Sequence, residues 1–217
     1  MANFSGAPRI LRGGIVLIDP ITAQAQRIIA LQYNPDSISR TLQVKGVGGE
    51  GGDRSEALRL KGPPTESIKL EAEIDATDQL ETANATATAL GVHPQLAALE
   101  AIVYPTSQQL QDNNTLAAQG TLEIVPMETP LALFVFSKER IVPVRLTEFS
   151  ITEEAFDVAL NPIRAKVSLG MRVLNVDDIG FNHKGGDLFM SYLRRKEQLA
   201  LRATPGTFAT LGIGGIP

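Results

Sequence analysis

Few residues of this 217-residue chain have both the type and the spacing for chemistry. His93 precedes Pro94 at an expected helix start and His183 lies in the turn Asn182–Gly186; neither has a second histidine at metal-ligand spacing. Carboxylates stand side by side at Glu153-Glu154 and Asp177-Asp178. Glycoside hydrolysis needs two acids facing one bond, but neighbours along an extended strand point to opposite faces, so these read as solvated turn acids. Gly46, Gly48 and Gly51 satisfy the spacing G-x-G-x-x-G. That loop cradles a pyrophosphate only between a strand and a helix N-terminus, whereas here it runs into Leu58-Arg59-Leu60-Lys61 and the helix-breaking Gly62-Pro63-Pro64. Arg164, Lys166 and Arg172 could hold an anion, yet a cationic outer face or a subunit contact is the plainer reading. No cofactor, no metal and no enzymatic activity are expected.

Composition narrows the classes further. Hydrophobic residues at 43% and charged residues at 20% suit a single globular domain over 1–217 and argue against bulk disorder. Aromatics are only 5%, with no Trp, which disfavours a base-stacking or sugar-stacking surface. A net charge of −4 and a pI near 5.3 give no footprint for nucleic acid. The absence of cysteine removes disulfides and thiolate chemistry. The opening MANFSGAPRILRGGIVLID lacks the pattern of a signal peptide, and no apolar run approaches the ~20 residues of a membrane span, so a cytoplasmic protein is expected.

The elements that must position these side chains are mostly strands. In Arg164–Val173, Ala165, Val167, Leu169, Met171 and Val173 alternate with Arg164, Lys166, Ser168, Gly170 and Arg172, which predicts a strand with one dry and one cationic face. Ser67–Asp75 repeats the pattern with opposite sign: Ile68, Leu70, Ala72 and Ile74 inward, Glu71, Glu73 and Asp75 outward, and Lys69 as the exception. The two charged rows suit pairing with each other or with neighbouring subunits. Further strands are expected at Arg9–Asp19 with an irregularity at Gly13-Gly14, at Arg27–Tyr33, at Ser37–Lys45 with Ile38, Leu42 and Val44 on one side, at Thr121–Val125, at Leu131–Ser137 and at Arg140–Thr152. In the last, Val142, Val144 and Leu146 share one parity and Phe149 and Ile151 the other, so an extra residue near Thr147-Glu148 must reset the face. Residues 76–120 read as a helix-bearing insertion, with the better helix at His93–Val103. Asp187 is the expected N-cap of a C-terminal helix from Leu188 to about Arg202. Residues 203–217 form an uncharged tail whose Phe208, Leu211, Ile213 and Ile216 call for docking onto something.

The segment Leu31-Gln32-Tyr33-Asn34-Pro35-Asp36-Ser37-Ile38-Ser39-Arg40-Thr41 resembles the aromatic-Asn-Pro-acid stretch of tube-like inner baseplate proteins from extracellular contractile injection systems, the phage-tail-like particles. The likeness continues at Val142-Pro143-Val144-Arg145-Leu146, at Ile151–Asp157 and at Leu160–Ala165, and closes with Val173-Leu174 and the helix around Lys196-Glu197. It implies a β-rich α+β fold related to phage tail tubes, with antiparallel sheets curled towards a barrel. It also implies a homo-oligomeric ring, six-fold, that joins the inner tube to the spike or hub and meets other baseplate proteins, in a particle that can leave the cell. Family members often carry a C-terminal LysM module; Gly185-Gly186-Asp187-Leu188 is only faintly similar to its start. The expected subunit contacts are Arg164, Lys166 and Arg172, Glu71 and Glu73, and Phe208, Leu211 and Ile213 of the tail. The competing reading is a domain that binds or hydrolyses cell-wall glycan through carboxylates such as Glu153 or Asp177.

Overall fold

The computed structural model describes residues 11–46, 59–118 and 130–216. The glycine loop beyond Gly46 and the strand expected at Thr121–Val125 lie outside the described residues. Seven strands, β1 (Gly14–Ile18), β2 (Ala25–Ala30), β3 (Ile38–Gln43), β4 (Thr65–Asp75), β5 (Leu131–Val135), β6 (Ile141–Phe156) and β7 (Pro162–Val173), form one sheet in the order β2-β1-β5-β6-β7-β4-β3. Every pairing is antiparallel, and the sheet is not closed. With 34% strand and 31% helix, the fold is a β-rich α+β architecture built on that sheet.

Side-chain alternation decides which face is dry. β4 and β7 pair from Ser67↔Arg172 to Asp75↔Arg164, which sets Ile68, Leu70, Ala72 and Ile74 beside Met171, Leu169, Val167 and Ala165, all buried. Through β6 and β5 this face continues to Val144, Val142, Phe134 and Ile15. Towards β1 and β5 the sheet becomes dry on both sides, because Ile18, Leu131 and Leu133 bury a second, smaller cluster against Leu174 and Leu188. At the opposite edge β3 stays open: Ile38 is half-buried, but Leu42 and Val44 are exposed, unlike the one-sided burial expected of them.

The register of β6 resets where parity requires. Leu146 pairs with Met171 and Glu148 with Gly170, so Thr147 is the inserted residue, and beyond it Phe149 and Ile151 return to the dry face opposite Leu169 and Val167. Gly170 lies between Glu148 on β6 and Lys69 on β4. Lacking a side chain, it lets Lys69 Nζ reach Glu148 Oε2 at 2.7 Å across the strand that separates them. Around Gly13-Gly14 no shift occurs; the irregularity of β1 falls instead between Leu17 and Ile18.

The described part of the insertion holds four helices: α1 (Thr77–Glu81), α2 (Ala85–Leu90), α3 (His93–Glu100) and α4 (Ser107–Ala118). Asn84 caps α2 by accepting from the N–H groups of Thr86 and Ala87, and Ala87, Val92, Leu96 and Leu99 cover the dry face. The helix at His93 stops at Glu100, short of the expected Val103, which is exposed. After the short α5 (Val176–Ile179), α6 (Lys184–Ala200) starts a turn earlier than expected. Its N-cap is His183, whose Nδ1 accepts from the Gly185 N–H at 3.0 Å, and Asp187 lies inside the first turn. The early start is possible because Gly185 and Gly186 have no side chains: a Cβ at Gly186 would stand 2.1 Å from the Gly180 carbonyl oxygen.

α6 is tied to the sheet by a buried charge. Glu66, at the inward parity of β4, is 4% exposed. It accepts from Arg40 Nε of β3 at 2.8 Å, and from Lys196 Nζ at 3.0 Å and the Tyr192 hydroxyl at 3.1 Å, both of α6. Arg40 also donates to the Tyr192 oxygen at 3.0 Å, and Lys196 Nζ lies 4.1 Å from the centre of the Tyr192 ring. Burial alone would raise the Glu66 carboxyl; hydrogen bonds and charge from Lys196 and Arg40 outweigh it and hold the group below its ordinary 4.5.

Two outcomes follow from this packing. Glu66 is depressed in the folded state, so its contribution is complete above the unfolded value and disappears as pH falls through the folded one. Glu66→Gln therefore costs about 3 kcal/mol in urea unfolding at neutral pH, by leaving two cations without their partner. The gap between the two proteins shrinks as pH drops below 4.5, and a gap independent of pH would contradict the account. A Cβ at Gly170 would stand 2.8 Å from that of Glu148, so Gly170→Val lowers stability by about 2 kcal/mol, read as a Tm fall of roughly 4–8 °C. Ser168→Val, two residues away on the same face, leaves Tm nearly unchanged.

Candidate functional site

The polar face of β6, β7 and β4 carries the charged rows side by side. Glu73 is opposite Lys166, and Asp75 opposite Arg164. Arg164 reaches Asp75 Oδ2 at 2.8 Å and Glu73 Oε1 at 3.4 Å, while Lys166 Nζ reaches Glu154 Oε1 at 3.1 Å. Burial would raise the Asp75 carboxyl, but hydrogen bonds from Thr77 and the Arg164 guanidinium hold it below its ordinary value. The hydrogen bond and charge of Asp75 in turn raise Arg164. Arg164, Lys166 and Glu73 are exposed on the sheet, while Asp75 and Glu154 are half-buried beside them, and pairs with an exposed partner contribute little to stability. What they make is a broad, banded surface of both signs. Glu71, opposite Ser168, has no ion-pair partner among the described residues. Arg172 differs from its row: half-buried, it pairs with Asp178 and so helps to anchor α5.

Beyond this face the β6–β7 hairpin ends in an apolar tip that sequence reasoning missed. Phe156, Val158 and Leu160 are 51%, 106% and 77% exposed. Asp157 holds the loop, accepting from the N–H groups of Ala159 at 2.7 Å and Asn161 at 2.8 Å and from the Asn161 side chain at 2.9 Å. Those bonds, the Asn161 side chain first, keep the Asp157 carboxyl below its ordinary value. Leu160 takes a left-handed φ of 64°, a conformation that costs a branched residue about 1 kcal/mol or more. The loop is also pinned from outside, since Asn161 Nδ2 donates to the Ala89 carbonyl and the Val92 N–H to that of Pro162. The signal available in the sequence was Asp157 followed four residues on by Asn161-Pro162.

The tail is bare. All residues from Leu201 to Ile216 are exposed, including Phe208 (48%), Leu211 (71%) and Ile213 (46%), and the one regular element is a 3-10 turn at Phe208–Leu211 capped by Thr207. The sheet row and the tail are thus separate features.

Of the acids weighed for catalysis, Glu154, Asp177 and Asp178 are engaged in structural contacts. Asn175 and Asp178 form a reciprocal cap at the start of α5, and Asp177 pairs with Lys45 at 3.2 Å. Glu153 is exposed opposite Ala165, on a different element from Asp177. Among the described residues no group of three or more His, Asp or Glu side chains gathers to hold a metal ion, and no helix is long and apolar enough to cross a membrane.

No family model and no curated protein matches the chain. Among solved structures it is similar to a chain of the tail of an empty gene transfer agent particle, computed with helical refinement and C6 symmetry, at 13% identity over 74% of this chain and 90% of that one, with a TM-score of 0.28. A chain from the virion of a native gene transfer agent particle is 14% identical over 77% of this chain and 95% of that one, with a TM-score of 0.27. At TM-scores below 0.5 neither superposition carries an argument about this chain.

Proposed function

We propose that this chain is a structural subunit of a phage-tail-like contractile particle: a homo-oligomeric ring, six-fold, at the baseplate, joining the inner tube to the spike or hub. The observation that carries the reading is the number of large apolar side chains left facing water, Phe156, Val158 and Leu160 at the hairpin tip and Phe208, Leu211, Ile213 and Ile216 in the tail. A monomer gains nothing by holding Leu160 in a strained conformation to display it, whereas a subunit buries it on assembly. The banded sheet face supports the same reading, since alternating charge sets register between neighbours more than it adds affinity. Heterologous contacts of this kind close into rings when the rotation permits. Arg164, Lys166, Glu71 and Glu73 would then lie at lateral contacts, with Arg172 holding α5 behind them.

Electron microscopy of particles purified from cells with and without this protein tests the reading. Particles lacking it should have tubes without an attached spike, and fully assembled particles in its absence would end the proposal. Deletion of residues 207–217 should leave the monomer's unfolding midpoint within about 1 °C, because the residues from 207 to 216 are all exposed, while lowering particle yield severalfold. Unchanged yield would remove the tail from the contact surface.

A further inference from the structure

β2 and β4 come together without pairing. β3 accompanies β4 only from Thr65 to Leu70, so among the described residues Glu71–Asp75 has no strand on that side. The gap is bridged at one end by a side chain, as Gln32, just past β2, donates from Nε2 to the Asp75 carbonyl at 2.6 Å and accepts the Asp75 N–H at 3.0 Å. Backbone groups alternate in direction along a strand, so the N–H and C=O groups of Glu73 and Glu71 point to the same side as those of Asp75. On β2 the Leu31 N–H donates to the Gly13 carbonyl of the β1 side; by the same alternation Ile28 and Ala30 turn theirs outward, to an edge that no described strand pairs with.

Between these two edges lies an apolar cavity of about 230 Å³, floored by Ala98 and Leu99 of α3 and walled by Ile29 and Ile74. A dry cavity of roughly 150 Å³ already admits a benzene ring, so this one takes a large aliphatic or aromatic side chain. Gln95 also lines it, and its buried Oε1 meets no donor among the described residues. Unpaired strand edges, an apolar hole and an orphaned acceptor are together what an added strand satisfies.

Resting on the assembly reading above, we infer that this slot receives the tail of a second copy, residues 207–216 in extended form, as a strand laid along β2. No side chain between Arg202 and Pro217 is charged, which fits a slot lined by one residue of each sign, Arg27 and Glu73, with Glu73 already paired to Arg164. The tail carries four exposed apolar residues, and only a 3-10 turn must open to extend it. From Leu201 its sixteen residues to Ile216 reach ~50 Å when extended, far enough to leave the body that bears them.

The chain has no cysteine, so single substitutions give unique cross-linking sites. Full-length Ile28→Cys is mixed with Ile213→Cys carrying a size-shifting tag, treated with a short bis-maleimide, and compared with Leu90→Cys, exposed away from the slot, in place of Ile28→Cys. The expected result is a mixed dimer at least fivefold above that control, lost on adding Ala98→Phe to fill the slot and lost equally on adding a synthetic peptide of residues 207–217, which requires no folding of a variant. Equal cross-linking to both sites overturns the inference. Cross-linking confined to the double variant Ile28→Cys/Ile213→Cys within one chain also overturns it, by placing the tail on its own body. Either failure leaves the particle experiment untouched, whereas a missing spike without cross-linking separates the assembly reading from this one.

Discussion

The nine consecutive pairings of β4 with β7, from Ser67↔Arg172 to Asp75↔Arg164, are the constraint on which the rest of the molecule depends. A shift of one residue would turn Ile68, Leu70, Ala72 and Ile74 to water and bury Glu71, Glu73 and Asp75. The register is held from both faces, by apolar packing on one and by Arg164 between Glu73 and Asp75 on the other. At the centre of the sheet the β6 bulge and Gly170 let a 16-residue strand follow β7 without moving its apolar residues to the wrong side. The buried Glu66 then uses the same inward parity to bind Arg40, Tyr192 and Lys196, so the position of α6 follows from the register of β4.

With the interior settled in this way, the exterior still carries large apolar groups at the hairpin tip and in the tail. The strained hairpin tip and the uncharged tail both cost the isolated chain something, in conformational energy at Leu160 and in hydration at Phe208, Leu211, Ile213 and Ile216. Both costs make sense for a subunit whose final surroundings are other protein. The charged face is compatible with that role because its acids and bases neutralise one another in place, leaving a surface that can approach another without a large net field.

Much of this was legible beforehand. The strands β4 and β7, their charged rows and the bulge at Thr147 follow from a period of two, which is a local property of the chain. The cluster at Glu66 was written in the same pattern, as a glutamate two residues before Ile68, yet its partners come from β3 and α6, and nothing in spacing says which cations will arrive. The start of α6 was misplaced for a similar reason: Asp187 is a good cap by type, but the packing of Gly186 against Gly180 carries the helix back to His183, a weaker capping residue by type. Leu42 of β3 and Val44 beyond it were expected on a buried face; β3 is the edge strand of the described sheet, and both are exposed.

The sequence by itself determined the dry face, the place of the register reset, the absence of thiol chemistry and the apolar character of the tail, because each depends on residue type and on separations of a few positions. Only the tertiary structure decided that the opposite charges would meet within one chain, that Arg172 would serve α5, and that β2 and β4 would face each other across a slot lined by described residues of both. Those outcomes depend on which strands become neighbours, and that is set by the summed packing of the whole sheet and its helices, not by any one stretch of residues.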